Sequence, residues 1–485
     1  MQDVGVQDHM LTKEGLTLRV KTIRRHARLS VTGNGRGLVS RAGTGLLVEA
    51  GRQVQLERSL VQATAGVRPG ALHAPGSVLA DLALMLADGG TRLRHLDVLR
   101  FQPALFGAVA SVPTATRTLT ALADTDVGER VAALDVARAQ VRRRAWESGA
   151  LPAPVAAVLE GEEVGPLCVD LDATLVIAHS DDKDGAAKTY KRSWGFHPMT
   201  AWLDRGDGTG EALAIELREG NAGANNTADQ IAIVDRAIAQ LPELPDELKV
   251  LIRADTAGAV HGLVDHIRDE TGCQFSVGMR LQGQVRAQIH ALDEHDPRWQ
   301  QAVRQDGRPR KGAHVAEITD LIDLTAWPAG SRLVVRREPL HPGAQQTFDD
   351  IDGCRFTAFL TDQTETDIAL LDARHRAHAR VEDRIRCAKN TGLDAMVCDT
   401  FDRNQIWCQL VAIAADLLTF TQQLALTGTH RIAEPRALRY QLLHVAGRIT
   451  RSGRQTVMHL QADWPYTRVL LTAFRRLRAL PTPAG

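Results

Sequence analysis

Four acids in this chain are placed to do chemistry. In LCVDLDATLVIAH (167–179), Asp170 and Asp172 stand two residues apart. A strand repeats every two residues, so both carboxylates point to one face while Leu167, Val169 and Leu171 point to the other. Two acids on an otherwise apolar strand are costly to bury unless they are paired or bind a metal. Asp255 closes a second apolar segment, KVLIRAD, at the carboxyl end of a buried strand, where mixed α/β sheets place functional groups. Its other reading is an N-cap for the next helix, a job that Thr256 could do equally well. The fourth acid, Glu382, lies inside RHRAHARVEDRIRCAKN (374–390). At 100° per residue, His375, His378, Glu382 and Lys389 fall within about 60° of one another on one helical face.

Three readings of that face are open. As a zinc site it would use His375, His378 and Glu382, but it lacks the HExxH spacing that sets two histidines one turn apart beside a general base. As a solvated charged face it would do nothing, which is the common fate of such runs. As a catalytic face it would bring Glu382 to the acids of two distant strands. Three carboxylates from separate segments suit hard divalent ions, Mg²⁺ or Mn²⁺. Two such ions about 4 Å apart would activate a water or a 3′-hydroxyl and stabilise the leaving oxygen of an in-line phosphoryl transfer. The basic residues around Glu382 would hold a polyanion there. The residues alone therefore point to a metal-dependent nuclease or polynucleotidyl transferase.

The elements that must position these acids follow from periodicity. LCVDLDATLVIAH, MTAWLD and EALAIELREG read as three successive strands, separated by a polar loop (180–198) that carries Lys188, Lys191 and Arg192. TADQIAIVDRAIAQL is an amphipathic helix with a threonine at its N-cap, KVLIRAD a strand, 257–272 a helix stopped by Gly272, QFSVGMR a strand and QVRAQIHALDE a helix. Three leading strands suit an antiparallel meander, and helices between the later strands suit parallel crossovers. That order matches an α/β, ribonuclease-H-like core, expected over 160–296 and 363–426. Short strands at 297–362 interrupt it as a β-strand insertion. NQIWCQLVAIAADLLTFTQQLAL is apolar nearly all round and should be a buried helix. Upstream, 1–150 reads as a mainly helical N-terminal DNA-binding region. It has a basic segment, a hairpin turning at Asn34-Gly35 in LSVTGNGRGLVS, and helices such as SVLADLALMLADGG. PTATRTLTALAD, with Arg117 on its exposed side, could be the second helix of a helix-turn-helix or an ordinary surface helix. Linkers are expected at 149–156 and 429–437. The 437–485 region, with a helix, a strand and a final basic helix, is a candidate for dimerisation or DNA contact.

The totals bound these readings. A chain of 485 residues, 44% apolar and 24% charged, is ordinary globular protein of two to four units. Its zero formal charge excludes a uniformly basic coat but not local patches. Six scattered cysteines without a CxxC pair suit a reducing compartment. The polar start is no signal peptide and no run is apolar enough to span a membrane, so a soluble, cytoplasmic protein is expected.

These segments resemble the bacterial insertion-sequence transposases of the Asp-Asp-Glu (DDE) type, close to the insertion-sequence 1380 family. The resemblance is carried by SVLADLALMLADGGTRLRHLDVLR, VDLDATLV, KDGAAKTYKRSWGFHP, LIRADTAG, the Glu382 helix and NQIWCQLVAIAADLL, over roughly residues 75–425, and RITRSGRQTVMHL extends it. The family's Asp-x-Thr pattern falls on Asp172-Ala173-Thr174, which implies Asp172 rather than Asp170 as the first acid; Asp255 and Glu382 match the other two. Related transposases carry tyrosine, arginine, glutamate and lysine where this chain has His375, His378, Glu382 and Lys389. The resemblance implies a ribonuclease-H-like core with a β insertion, two Mg²⁺ or Mn²⁺ ions, and double-stranded DNA partners, namely terminal inverted repeats and target DNA. It also implies a homodimer on paired ends in the bacterial nucleoid, and cut-and-paste transposition through a hairpin. His375, His378, Arg376, Arg380, Lys389, Lys188, Lys191, Arg192 and Arg117 are then DNA-contact candidates, and Trp327 or Trp299 a support for a flipped base. The alternatives are a ribonuclease-H-like nuclease without strand transfer and a non-catalytic DNA-binding descendant.

Overall fold

The computed structural model describes residues 30–481, except 125, 179, 342, 344, 346–349 and 352. The basic residues Arg19, Lys21, Arg24, Arg25 and Arg28 lie outside that range.

A mixed sheet organises the chain. Leu167–Ala173, the third strand from one edge, pairs antiparallel with Met199–Asp204, which pairs antiparallel with Gly210–Glu216. On its other side it runs parallel to Val250–Ala254, which runs parallel to Gln274–Met279. This is the expected meander followed by crossovers, the latter made by helices Thr227–Ala239 and His261–Asp265. The insertion does not leave the sheet. Cys354–Thr361, Arg332–Pro339, Pro309–Glu317 and Gln300–Val303 continue it antiparallel beyond Gln274–Met279. Helix Ile368–Arg376 covers the added strands through Ile368, Ala369 and Leu371, packed with Val315, Val334 and Phe359. The insertion thus carries the segment that leads to Glu382.

The long helix Phe401–Ala425 is buried almost throughout, as its composition requires. Four of its polar side chains complete the sheet's Gly210–Glu216 edge strand and the residue after it. Asp416 accepts the Ala212 N–H, Gln405 accepts the Leu217 N–H, Gln409 donates to the Ile215 carbonyl and Thr419 to that of Gly210. Edge-strand groups that would otherwise lack partners are satisfied by a helix instead of another strand. Arg138 and Arg142, from helix Val127–Glu147, neutralise Asp416, and Arg142 also pairs with Glu211; both residues of that last pair are fully buried.

Several local expectations change. The hairpin at Asn34-Gly35 is not formed: Leu38–Val39 is a two-residue strand that pairs with Arg448 and Gly447 of a C-terminal hairpin, so a distant partner outcompetes the local turn. Asn226, not Thr227, caps helix Thr227–Ala239 by accepting the Asp229 N–H. The two expected linkers contain short helices, Ala153–Leu159 and Pro435–Leu438. The polar loop after the first acid strand folds into a small three-stranded sheet with Trp194–Phe196 between Val176–Ile177 and Ala187–Lys188. No helix among the described residues is long and apolar enough to cross a membrane.

The N-terminal helices hold one acid at a cost. Burial, with Glu57 adding to it, pushes the Asp81 carboxyl from its ordinary 3.8 up to about 7. An acid whose folded pKa is raised favours the fold while protonated, and that contribution is lost as pH climbs from 3.8 through about 7. Asp81→Asn should therefore raise the thermal midpoint at pH 8 by several degrees and leave it unchanged at pH 4. Melts at the two pH values check this, and an unaltered midpoint at pH 8 refutes it.

Candidate active site

Two layers of side chains lie on one face of the parallel strands. In the lower layer, strand register places Asp170 beside Arg253 and Arg253 beside Ser276. Arg253 donates Nε and Nη2 to the two oxygens of Asp170, both at 2.7 Å, and Nη2 also reaches Asp204 at 3.0 Å. Its Nη1 donates to the Arg374 carbonyl at 2.8 Å, which ties the strand to the helical segment above. His378 Nδ1 lies 3.0 Å from Asp170 Oδ1, and His375 Nδ1 lies 2.9 Å from Ser276 Oγ. Asp170 and Arg253 are 2% and 1% exposed, so the layer is sealed and its charges neutralise one another. Burial alone would raise the Asp170 carboxyl, but Arg253 and His378 outweigh it and hold the group below the usual carboxylate range.

Two residues further along each strand, the register continued by one step brings Asp255 opposite Asp172. Glu382 follows His378 by four residues, one helical turn, so it belongs to this upper layer. Among the described residues no arginine pairs with these acids. Burial pushes the Asp172 carboxyl up to about 6, with Asp255 and Glu382 adding to the rise and His378 and a backbone N–H opposing it. Asp255 is exposed and caps the following turn after all, with Oδ1 accepting the Ala257 N–H at 2.9 Å; Thr256 does not take that job. The cap occupies one oxygen and leaves Oδ2 available. Asp172 and Asp255 line a cavity of about 630 Å³, also walled by Lys188, Tyr190, His197 and Asn221. Glu382 is exposed on its helix and does not line that cavity.

The donor chemistry of the upper layer fits a hard divalent cation: three carboxylates with no arginine or lysine paired to them among the described residues, one held back from ionising by burial and, to a lesser degree, by the other two. The spacing is looser than the chemistry. Among the described residues no three His, Cys, Asp or Glu side chains stand close enough together to hold an ion. The zinc reading loses its ligands for a more direct reason, because both histidines are engaged in the lower layer.

The segment expected as one helix is Ile368–Arg376, a tight turn Ala377–Ala379, then Arg380–Ala388. The shared face of His375, His378, Glu382 and Lys389 does meet the sheet, but each side chain meets something different. His375 stacks on Phe359 at 4.5 Å, and burial, with His378 and Arg253 adding to it, pushes its pKa down to about 3. Stacked on Phe359 and bonded to Ser276, its ring docks the segment on the sheet. His378 has the same docking role through Asp170. Arg376 bonds Asp372 and the Val303 carbonyl, and Arg380 bonds Asp204. Lys389 donates to the Leu175 carbonyl at 2.7 Å, just past the first acid strand. Lys188 faces the acid cavity, while Lys191 and Arg192 are exposed at the turn of the small sheet, Arg192 at a φ of 63°. Arg117 is exposed on helix Val112–Ala123 and lines neither this cavity nor the larger one beside it. Trp327 packs on His261 at 3.9 Å, and Trp299 lies under Arg337 at 4.4 Å. The lower-layer arginine was missed in sequence; its signal was the alternation that puts Arg253 on the same face as Asp255.

Comparison with protein-family models matches residues 21–482 to transposase DDE domain group 1. Comparison with curated proteins finds no match. A family match of that extent, over a chain whose strand register gathers two aspartates beneath a glutamate-bearing helix, makes the protein a member of the DDE transposases, DNA-binding enzymes with nuclease and strand-transfer chemistry.

Proposed function

We propose that the chain is a cut-and-paste transposase of the insertion-sequence 1380 type, with Asp172, Asp255 and Glu382 as the catalytic carboxylates of a ribonuclease-H-like core. The observation that carries this reading is the contrast between the layers. Asp170 has a built-in arginine, whereas Asp172, two residues on, has none: two acids, Asp255 and Glu382, and one histidine, His378, are the charged groups that act on it. The sheet order, an antiparallel meander followed by two parallel strands, supports the core assignment over 160–296 and 363–426, with 297–362 as its insertion. The remaining units are 1–150 for DNA binding and 437–485 for dimerisation or DNA contact.

Asp172, Asp255 and Glu382 would hold two Mg²⁺ or Mn²⁺ ions. Bound there, such ions supply Lewis-acid polarisation of the attacking and leaving oxygens. Lys188, with Lys191 and Arg192 at the turn after it, and Lys389 would hold the DNA backbone as charged contacts. At each transposon end a water oxygen bonds to phosphorus while the bridging P–O3′ bond breaks, freeing a 3′-hydroxyl. That hydroxyl attacks the opposite strand, closes a hairpin and releases the flanking DNA. Hydrolysis reopens the hairpin, and the 3′-hydroxyls then attack target DNA. Each step breaks one P–O3′ bond as phosphorus bonds to the oxygen of water or of a 3′-hydroxyl, so no protein nucleophile is needed. A homodimer on paired ends would hold both reacting termini, in the bacterial nucleoid.

Incubation with Mg²⁺ and DNA carrying the element's own inverted repeats tests this. Excision with joining to a target plasmid is the expected result. Cutting without joining would mark a nuclease, and binding without cutting a non-catalytic descendant.

A further inference from the structure

A second cavity, larger than the acid cavity, lies on another side of the first acid strand's loop. It is an open cleft of about 710 Å³ between the N-terminal helices and the catalytic sheet, and the two share no lining residue. Its walls come from three places: the turn before the Leu93–Leu96 segment, the loop after the first acid strand, and the end of the Glu382 helix. Of its ten lining residues, four are cations, Arg92, Arg94, Lys183 and Lys389, and one, Asp394, is an acid. Asp394 lies 3.9 Å from Lys389 and offsets part of that charge. Lys183 is held by the carbonyl of Met396, a residue at a φ of 35°, so its ammonium is fixed in the wall. Arg92 and Arg94 are exposed, stand on either side of half-buried Leu93, and form no ion pair with a carboxylate among the described residues. Their charge is felt nearby: after burial, Arg94 and Arg92 are what lower the His95 pKa.

We propose that this cleft is a second DNA-backbone site, which grips duplex phosphates beside the scissile one through Arg92, Arg94, Lys183 and Lys389. The proposal rests on the DNA-processing reading above and deepens it by adding a track that leads away from the acids. The two cavities are joined by the small three-stranded sheet. Ile177, on one of its outer strands, lines the cleft, while Lys188, on the other, lines the acid cavity. Outer strands of a three-stranded sheet lie about 10 Å apart, about three steps of 3.4 Å along a DNA strand. A backbone leaving the acids across this sheet therefore meets the cleft within a few nucleotides. The cleft also answers an electrostatic need. Three acids gathered at one site repel a polyanion, and cations on a second wall restore a net attraction. An open, positively charged cleft with an apolar floor has the character of a backbone groove, and its contacts carry no base information.

The test uses the full chain in EDTA, so that binding is read without cleavage. Its probes are a labelled duplex from the DNA flanking the coding sequence and a scrambled duplex of equal length. Arg92→Gln/Arg94→Gln should weaken binding to both duplexes by at least about tenfold near physiological salt and make the plot of log affinity against log salt shallower by about two. Both positions are exposed, so an unchanged thermal midpoint confirms that the fold is intact. Lys249→Gln/Arg308→Gln, an equal loss of exposed charge away from the cleft and outside the proposed DNA-binding units, should change neither quantity. An unaltered salt slope in the cleft variant overturns the proposal, as does an equal loss in the control, which would reduce the effect to net charge. If the unaltered chain binds neither duplex, the transposase reading itself fails, and the cleft proposal with it.

Discussion

Asp255→Asn should lower single-turnover DNA cleavage by at least about a thousandfold while DNA binding in EDTA is retained. The magnitude follows from removing one anionic ligand from a metal-assisted phosphoryl transfer, an effect of several kcal/mol at about 1.4 kcal/mol per tenfold. Asparagine is the informative substitute because Asp255 also caps a turn, with Oδ1 on the Ala257 N–H at 2.9 Å. Asparagine caps as well as aspartate does, so the turn survives and only the charge is lost. Asp255→Ala removes both and should cost an additional ~1 kcal/mol of stability. The pair of variants therefore separates the two roles of one side chain. If Asp255→Asn cleaves at near the original rate and Asp255→Ala is merely less stable, Asp255 is a cap and the catalytic assignment falls. Affinity in EDTA should rise slightly in both variants, because one negative charge facing the polyanion has gone.

Much of this arrangement was legible because it depends on periods of two and of 3.6. The spacing of Asp170 and Asp172, the apolar run ending at Asp255, and the alternation of strands and helices between 165 and 290 reproduce the sheet order found. What was not legible depends on partners far away in sequence. Leu38 and Val39 read locally as part of a hairpin, yet their partners are Arg448 and Gly447. The helical angles put His375 and His378 on one face with Glu382, and that face meets the sheet, but angles carry no information about depth. Both histidines are drawn into the lower layer by Ser276 and Asp170, where the family pattern suggests phosphate contacts. Asp170 and Asp172 differ in the same way. They share a face and a residue type, and only the identity of the cross-strand neighbour, Arg253 for one and an acid for the other, separates a structural ion pair from a candidate ligand.

That distinction gives Arg253 the largest expected stability effect near the site. Arg253→Met should destabilise the protein by about 3–5 kcal/mol, since it strands a buried carboxylate. Asp204 would keep Arg380 at 3.1 Å, whereas Asp170 would keep only His378, at 3.0 Å. Arg253→Lys should not rescue it. One ammonium cannot reproduce the planar fork that spans both oxygens of Asp170, Asp204 and the Arg374 carbonyl. Asp170→Leu/Arg253→Met removes the stranded charge and should recover part of the stability, as apolar replacements of buried pairs do. Cleavage should stay low in the double variant, because the anchors between strand and helix, Arg253 to the Arg374 carbonyl and Asp170 to His378, are both gone. Urea denaturation and single-turnover cleavage, measured on all three variants, separate a role in stability from one in positioning Glu382 over the two aspartates. Recovery of stability and cleavage together in the double variant would show that the lower layer merely fills space; recovery of stability alone would show that its polar bonds hold the upper layer in place.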